Sequence, residues 1–150
     1  YRCKNLKDVI TIVDEALQEY EHCIQEQEDG FRSEITKVKS YIYHHYQERN
    51  LGAETLSAMV FLSPGYLSAV FKEETGVTLN RFIREVRMEK AKERLETTNM
   101  KISGIAKEVG FSNNSYFCRS FREFFGDTPE ACRKGTEADE KTNTEAAPSI

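Results

Sequence analysis

The 150-residue chain has no tryptophan, only three prolines and eight scattered glycines. Apolar and polar residues nowhere alternate with period two, which leaves strands without support. No glycine-rich phosphate loop is present. No apolar run approaches the roughly 18 residues needed to cross a bilayer, and the N-terminus lacks the basic start and apolar middle of a signal peptide. A soluble, intracellular chain with no membrane partner is therefore expected. Its first residue is Tyr1 rather than methionine, so a piece of a longer protein is expected. The four cysteines, at 3, 23, 118 and 132, never form the close C-x-x-C pair of structural zinc. They read as reduced thiols, since a chain of this length builds a core without covalent staples. His22, His44 and His45 stand far from any paired acidic motif, and the adjacent His44 and His45 point to different faces of a helix. With no nucleophile, metal or cofactor constellation, the chain reads as a non-enzyme that needs no cofactor.

The net charge of −4 argues at first against a nucleic-acid partner. Its distribution reverses that impression. Residues 1–30 carry three Lys/Arg against eight Asp/Glu, residues 136–150 one against four, and residues 31–135 seventeen against thirteen. Acidic ends mask a mildly basic centre, and distribution decides what a surface attracts.

Three segments follow. Leu6, Val9, Val13, Ala16, Tyr20 and Cys23 recur at alternating gaps of three and four, the seam of an amphipathic helix running to about Gln27. "EDG" at 28–30 is expected to break it. This helix, residues 1–30, could pack on a preceding domain, form a homodimer through residues 6–27 or stand free. The centre, 31–135, reads as helical throughout. Ser33 is an expected N-cap ahead of the stripe Ile35, Val38, Ile42 and Tyr46. Ala53 to Phe61 forms a short helix. Ser63 caps the next, with Pro64 at its first position and Gly76 beyond its end. Leu79 to about Thr97 forms a longer helix, and the segments from Ile102 to Val109 and from Asn113 to Phe125 repeat the short-helix, turn, helix plan. Residues 136–150 are small, polar and acidic, the composition of a disordered tail.

The repeat is the informative feature. "FLSPGYLSAVFKEETG" begins at Phe61 and "FSNNSYFCRSFREFFG" at Phe111. Leu56, Val60 and Leu62 match Ile105, Val109 and Phe111 at an offset of 49; Tyr66, Leu67, Phe71, Gly76 and Thr78 match Tyr116, Phe117, Phe121, Gly126 and Thr128 at an offset of 50. One residue inserted in the turn accounts for the change. Each unit is a helix, a tight turn and a second helix, the plan in which the second helix enters a major groove. Such a helix needs an outer face of small or hydrogen-bonding residues. Pro64, Gly65, Ser68, Ala69 and Lys72 supply it in the first copy, with Tyr66, Leu67, Val70 and Phe71 inward. Asn113, Asn114, Ser115, Cys118, Arg119 and Arg122 supply it in the second, with Tyr116, Phe117, Ser120 and Phe121 inward or at the boundary. Asn can pair two-pronged with adenine and Arg119 with guanine. Arg84 and Arg87 on the long helix either touch phosphates or pair internally with Glu85, Glu89 or Glu93. The competing reading is a pair of stacked hairpins that dock on another protein without touching DNA.

"LSPGYLSAVFKEETGVTLNRFIREVRMEKAKERL" followed by "ISGIAKEVGFSNNSYFCRSFREFFGDTP" resembles the AraC/XylS class of bacterial transcription regulators over about residues 34–133. The resemblance implies an all-α domain with two helix-turn-helix heads joined by a central helix. It implies binding to double-stranded promoter DNA, usually to activate transcription, with RNA polymerase as a further partner in a bacterial cytoplasm. The family's contacts fall on Gly65, Ser68 and Ala69 in the first head and on Asn114, Ser115, Cys118 and Arg119 in the second. Phe61 stands where a turn glycine is common, Ala69 where a long polar side chain often reads bases, and Cys132 where an aromatic is usual. Upstream, "YRCKN" resembles the end of a response-regulator receiver domain, with Lys4 as the receiver lysine and Asn5 where proline is usual. A sensor of another type feeding a coiled linker is the alternative.

Overall fold

A single helix, α1 (Leu6–His45), takes up more than a quarter of the chain. The computed structural model describes residues 5–135, the side chains of residues 27, 28 and 31 excepted; Cys3, Lys4 and the tail from 136 lie outside the described residues. The break expected at 28–30 does not occur, and Ser33 lies inside the helix instead of capping one. The physical reason is the small size of the interruption. One glycine costs a helix only about 1 kcal/mol against alanine, and no proline removes an N–H or blocks a carbonyl. Gly30 faces open space, so no packing demands a different backbone there.

The two halves of α1 differ in partnership. Ile35, Val38 and Ile42, with Tyr46 just past the end, are buried in the core. The N-terminal half projects: Leu6, Val9, Ile10, Val13, Leu17, Tyr20 and Ile24 are all exposed, Leu6 to 77%. The stripe is wider than the six-residue seam read from spacing, since Ile10, Leu17 and Ile24 flank it.

α2 (Ala53–Met59) and α3 (Pro64–Thr75) form the first head; α5 (Ile102–Glu108) and α6 (Asn114–Phe125) form the second. α4 (Leu79–Thr97) joins them and spans roughly 28 Å at 1.5 Å per residue. The first head packs on α4 and on the C-terminal half of α1, and the second head packs on α4. A last helical stretch, 129–135, starts at Pro129. Among the described residues there is no strand.

The repeat read from sequence is a repeat of caps and of core positions. Ser63 Oγ accepts the Tyr66 N–H at 3.3 Å, and Asn113 Oδ1 accepts the Tyr116 N–H at 3.0 Å. Each satisfies one of the orphan donors of a helix start. Gly76 and Gly126 end α3 and α6 in the left-handed region, at φ 76° and 84°. Thr78 then caps α4 by accepting the Arg81 N–H, and Thr128 caps the last stretch by accepting the Ala131 N–H. Leu56 and Ile105, Leu67 and Phe117, and Phe71 and Phe121 are completely buried at matching places.

Candidate nucleic-acid interface

The turn in each head aims its second helix. Leu62 N–H donates to Ser57 O at 3.0 Å in the first head, and Phe111 N–H donates to Ala106 O at 2.9 Å in the second. Both bonds require a left-handed residue just before the donor. Gly110 meets this at φ 99°, whereas the first head uses Phe61 at φ 56°, with its ring 95% exposed.

With Leu67 and Phe71 buried, α3 turns Pro64, Gly65, Ala69 and Lys72 to solvent, and Ser68 is half-buried at the edge of that face. Ser68 Oγ donates to Pro64 O at 2.8 Å, so its hydrogen is committed and the oxygen is left to accept. Tyr66, expected inward, is 45% exposed. It sits one residue before Leu67 on a helix, about 100° round from the buried stripe, and that is enough to bring its ring to the surface.

α6 presents Asn114, Ser115, Arg119 and Arg122 to solvent. Asn113 is exposed too, but its Oδ1 is taken by the cap bond, so it cannot offer the acceptor-and-donor pair that adenine requires. Asn114 keeps both groups. Cys118, expected on the outer face, is half-buried against the core, and burial pushes its thiol pKa up. It behaves as a small apolar side chain at the edge of the face. Tyr116 is 49% exposed, like its counterpart Tyr66.

Charge pairing separates the outer faces of α3 and α6 from most of α4. On α4, Arg81 Nε meets Glu85 Oε1 at 2.8 Å and Arg94 Nη2 meets Glu108 Oε1 at 3.0 Å. Lys90 and Lys92 pair with Glu93 and Glu96. Among the described residues Lys72, Arg119 and Arg122 have no carboxylate within ion-pair distance, nor does Arg84.

Arg87 departs from both expectations. It neither pairs with a glutamate nor lies free. Its Nε donates to Tyr46 O at 2.8 Å and its Nη2 to Glu48 O at 2.7 Å, and its guanidinium lies 5.8 Å from the Phe111 ring centre. It ties the C-terminal end of α1 to α4 and to the second head's turn. Burial lowers its pKa. Gly110 is required beside it: a Cβ there would meet Tyr46 O at 2.9 Å and the Arg87 guanidinium at 3.0 Å. Nothing in the sequence between 46 and 87 signals this link, because its acceptors are backbone carbonyls.

Among the described residues no group of three or more His, Cys, Asp or Glu could hold a metal ion, and no helix is long and apolar enough to cross a membrane. His44 Nδ1 lies 2.7 Å from Ser40 O and His45 Nδ1 2.9 Å from Glu48 Oε1, both exposed.

Comparison with known proteins places this geometry. A family model described as a helix-turn-helix domain matches residues 56–135. The chain belongs to the AraC/XylS family of helix-turn-helix DNA-binding domains. The regulatory protein PocR of Salmonella typhimurium is 37% identical over 102 residues, which cover 68% of this chain and 33% of that protein. The C-terminal domain of AraT, a response regulator from Geobacillus stearothermophilus, superposes with a TM-score of 0.66 at 31% identity, covering 68% of this chain and 84% of that one. The DNA-binding domain of AdpA, a global transcriptional factor solved with a target DNA, superposes with a TM-score of 0.66 at 25% identity over 70% of this chain and 94% of that one. The chain spans about a third of the length of PocR and as little as about an eighth of the length of other curated relatives it matches.

Proposed function

We propose that residues 31–135 bind promoter DNA by placing α3 and α6 in successive major grooves, and that this binding regulates transcription, usually by activation. The observation that carries the reading is the contrast in pairing: among the described residues the cations on the outer faces of α3 and α6 are without carboxylate partners, while most of those on α4 are paired. Asn114 is the adenine reader and Arg119 the guanine reader. Lys72 and Arg122 take phosphates; Ser115 and Cys118 line the second groove contact. Pro64, Gly65, Ser68 and Ala69 let the α3 backbone come close, with Ala69 offering a methyl for thymine and Ser68 an acceptor. Asn113 keeps only its amide hydrogens for DNA. Arg87 belongs to the scaffold.

The whole protein is a cytoplasmic two-component response regulator whose output half is this domain, with residues 1–30 as the linker helix. That helix pairs with a second copy through residues 6–27, and the bound dimer recruits RNA polymerase. The exposed apolar stripe from Leu6 to Ile24 supports the pairing.

Duplexes selected by the protein from a random library, followed by a salt series, test the DNA reading. Affinity should fall steeply with salt. Arg119→Ala should flatten the preference among sequences, and Lys72→Ala should weaken all of them alike while lowering the salt slope by about one. Unchanged sequence preference in Arg119→Ala would refute the assignment.

A further inference from the structure

Between the two heads lies a hollow of about 290 Å3, bordered by Thr78, Asn80 and Arg84 of the start of α4, by Tyr116 of α6 and by Arg87 and Phe111 beneath. A second hollow, about 300 Å3, adjoins it through Thr78 and Asn80 and is lined by Ser68, Ala69 and Lys72 of α3. The inter-head hollow therefore adjoins the outer face of α3 and is bordered on the α6 side by the half-exposed Tyr116. Among the described residues no carboxylate lines the hollow; Glu85, paired with Arg81, and Glu123 stand beside it around the neighbouring hollow at Arg84.

Its charged groups are all cationic, and its other polar groups can donate. Arg84 is exposed and has no ion-pair partner, although it also borders a neighbouring hollow that contains Glu85 and Glu123. Among the described residues the Tyr116 hydroxyl and the Asn80 amide have no hydrogen-bond partner, and both can donate. Arg87 is fixed by two carbonyls, so its charge stands in the floor without a counter-carboxylate. A guanidinium arm, a phenolic donor and an amide donor over a fixed positive charge make a receptor for a phosphate oxygen. Two helices in successive major grooves leave the intervening minor groove and its flanking phosphates facing the space between them.

We propose that this hollow, through Asn80, Arg84 and Tyr116, holds a backbone phosphate of the duplex spacer that separates the sequences read by α3 and α6. The inference rests on the DNA-binding reading above. The contact carries no base information itself, but it is made only when the spacer brings its phosphate to the hollow. The protein therefore selects spacer groove width and deformability at base pairs it never touches. Free phosphate shares the same chemistry, so the test separates the two sources.

Starting from a library-selected duplex, each spacer phosphate is replaced in turn by a neutral methylphosphonate. At one spacer position the unaltered full chain should lose about tenfold in affinity, the scale of a charge-assisted hydrogen bond. Arg84→Ala should be insensitive at that position, Tyr116→Phe should lose part of the effect, and Arg84→Lys should retain part of it. Arg84 and Tyr116 are exposed at their tips, and circular dichroism of each variant checks that the helices are intact. A spacer in which no position matters, or an equal loss in Arg84→Ala, overturns the proposal while leaving DNA binding standing. Selection of no duplex at all removes the reading on which it rests. Inorganic phosphate, added at constant ionic strength, should not compete with the duplex for the unaltered protein more than for Arg84→Ala; preferential competition would make the hollow a free-anion site and overturn the duplex assignment.

Discussion

The two heads share their inner surfaces and differ in their outer ones. Ser63 and Asn113, Gly76 and Gly126, and Thr78 and Thr128 do the same capping work at the same places. Leu67 and Phe71 are buried where Phe117 and Phe121 are buried. Fifty residues apart on the outer face, however, Pro64 stands against Asn114, Gly65 against Ser115, Ala69 against Arg119 and Lys72 against Arg122. The first head offers small groups and one cation; the second offers an amide, a hydroxyl and two guanidinium groups. Packing constrains a core position to within a methylene or so, whereas an outward side chain answers only to its ligand. On the proposed reading, the second head is the sequence reader and the first fits the groove by its shape.

The inner likeness is broken hardest through the rings. In the second head Phe117, Phe121 and Phe125 run in a chain, with centres 5.9 and 4.6 Å apart. Phe121→Ala should cost about 3–5 kcal/mol, and Phe71→Ala a similar amount, because both are completely buried. Urea unfolding measures both, and a loss below about 1 kcal/mol for either would mean that its head is not packed as described. Next comes the turn. Gly110→Ala should cost roughly 2–3 kcal/mol, from a left-handed backbone and a Cβ pressed on Tyr46 O and Arg87. The same experiment reads it, and neutrality would show that the Arg87 link is loose. The outer contrast is sharper in binding than in stability. Arg119→Ala should lower discrimination between preferred and altered duplexes by about 1–3 kcal/mol, while Ala69→Ser changes it by about 0.5 kcal/mol or less. Equal effects from the two would erase the distinction between reader and fitter.

Much of this was legible in the sequence for a definite reason. Caps and left-handed glycines are local: Ser63, Pro64, Gly76 and Thr78 state their roles within three or four residues of the atoms they satisfy. The buried stripes are equally local, since a helix period suffices to find Ile35, Val38 and Ile42. Two kinds of feature escaped. Glu28, Asp29 and Gly30 look like a stop, but a stop is decided by whether the flanking turns can continue, and here they do. Arg87 looks like any surface arginine, but its partners lie 39 and 41 residues away and are carbonyls, which carry no residue-type signature. Tyr66 was misplaced because a half-exposed ring has no period of its own.

The finest test concerns the one place where the heads differ in the turn itself. Phe61 keeps φ 56° although it has a side chain, and that ring is 95% exposed and buries almost nothing. A left-handed backbone costs an ordinary residue roughly 1–2 kcal/mol, and no packing offsets it. Phe61→Gly removes that strain but loosens the unfolded chain, which takes back roughly 0.5–1 kcal/mol. The difference leaves a gain of about 0.5–1 kcal/mol, readable as a higher urea midpoint with an unchanged slope. DNA affinity should not move, because the recognition helix already has its cap and its aim. A gain in stability with a loss of function would instead mean that the exposed ring is held against strain for a contact. A loss in both would mean that the ring packs more closely than its exposure states.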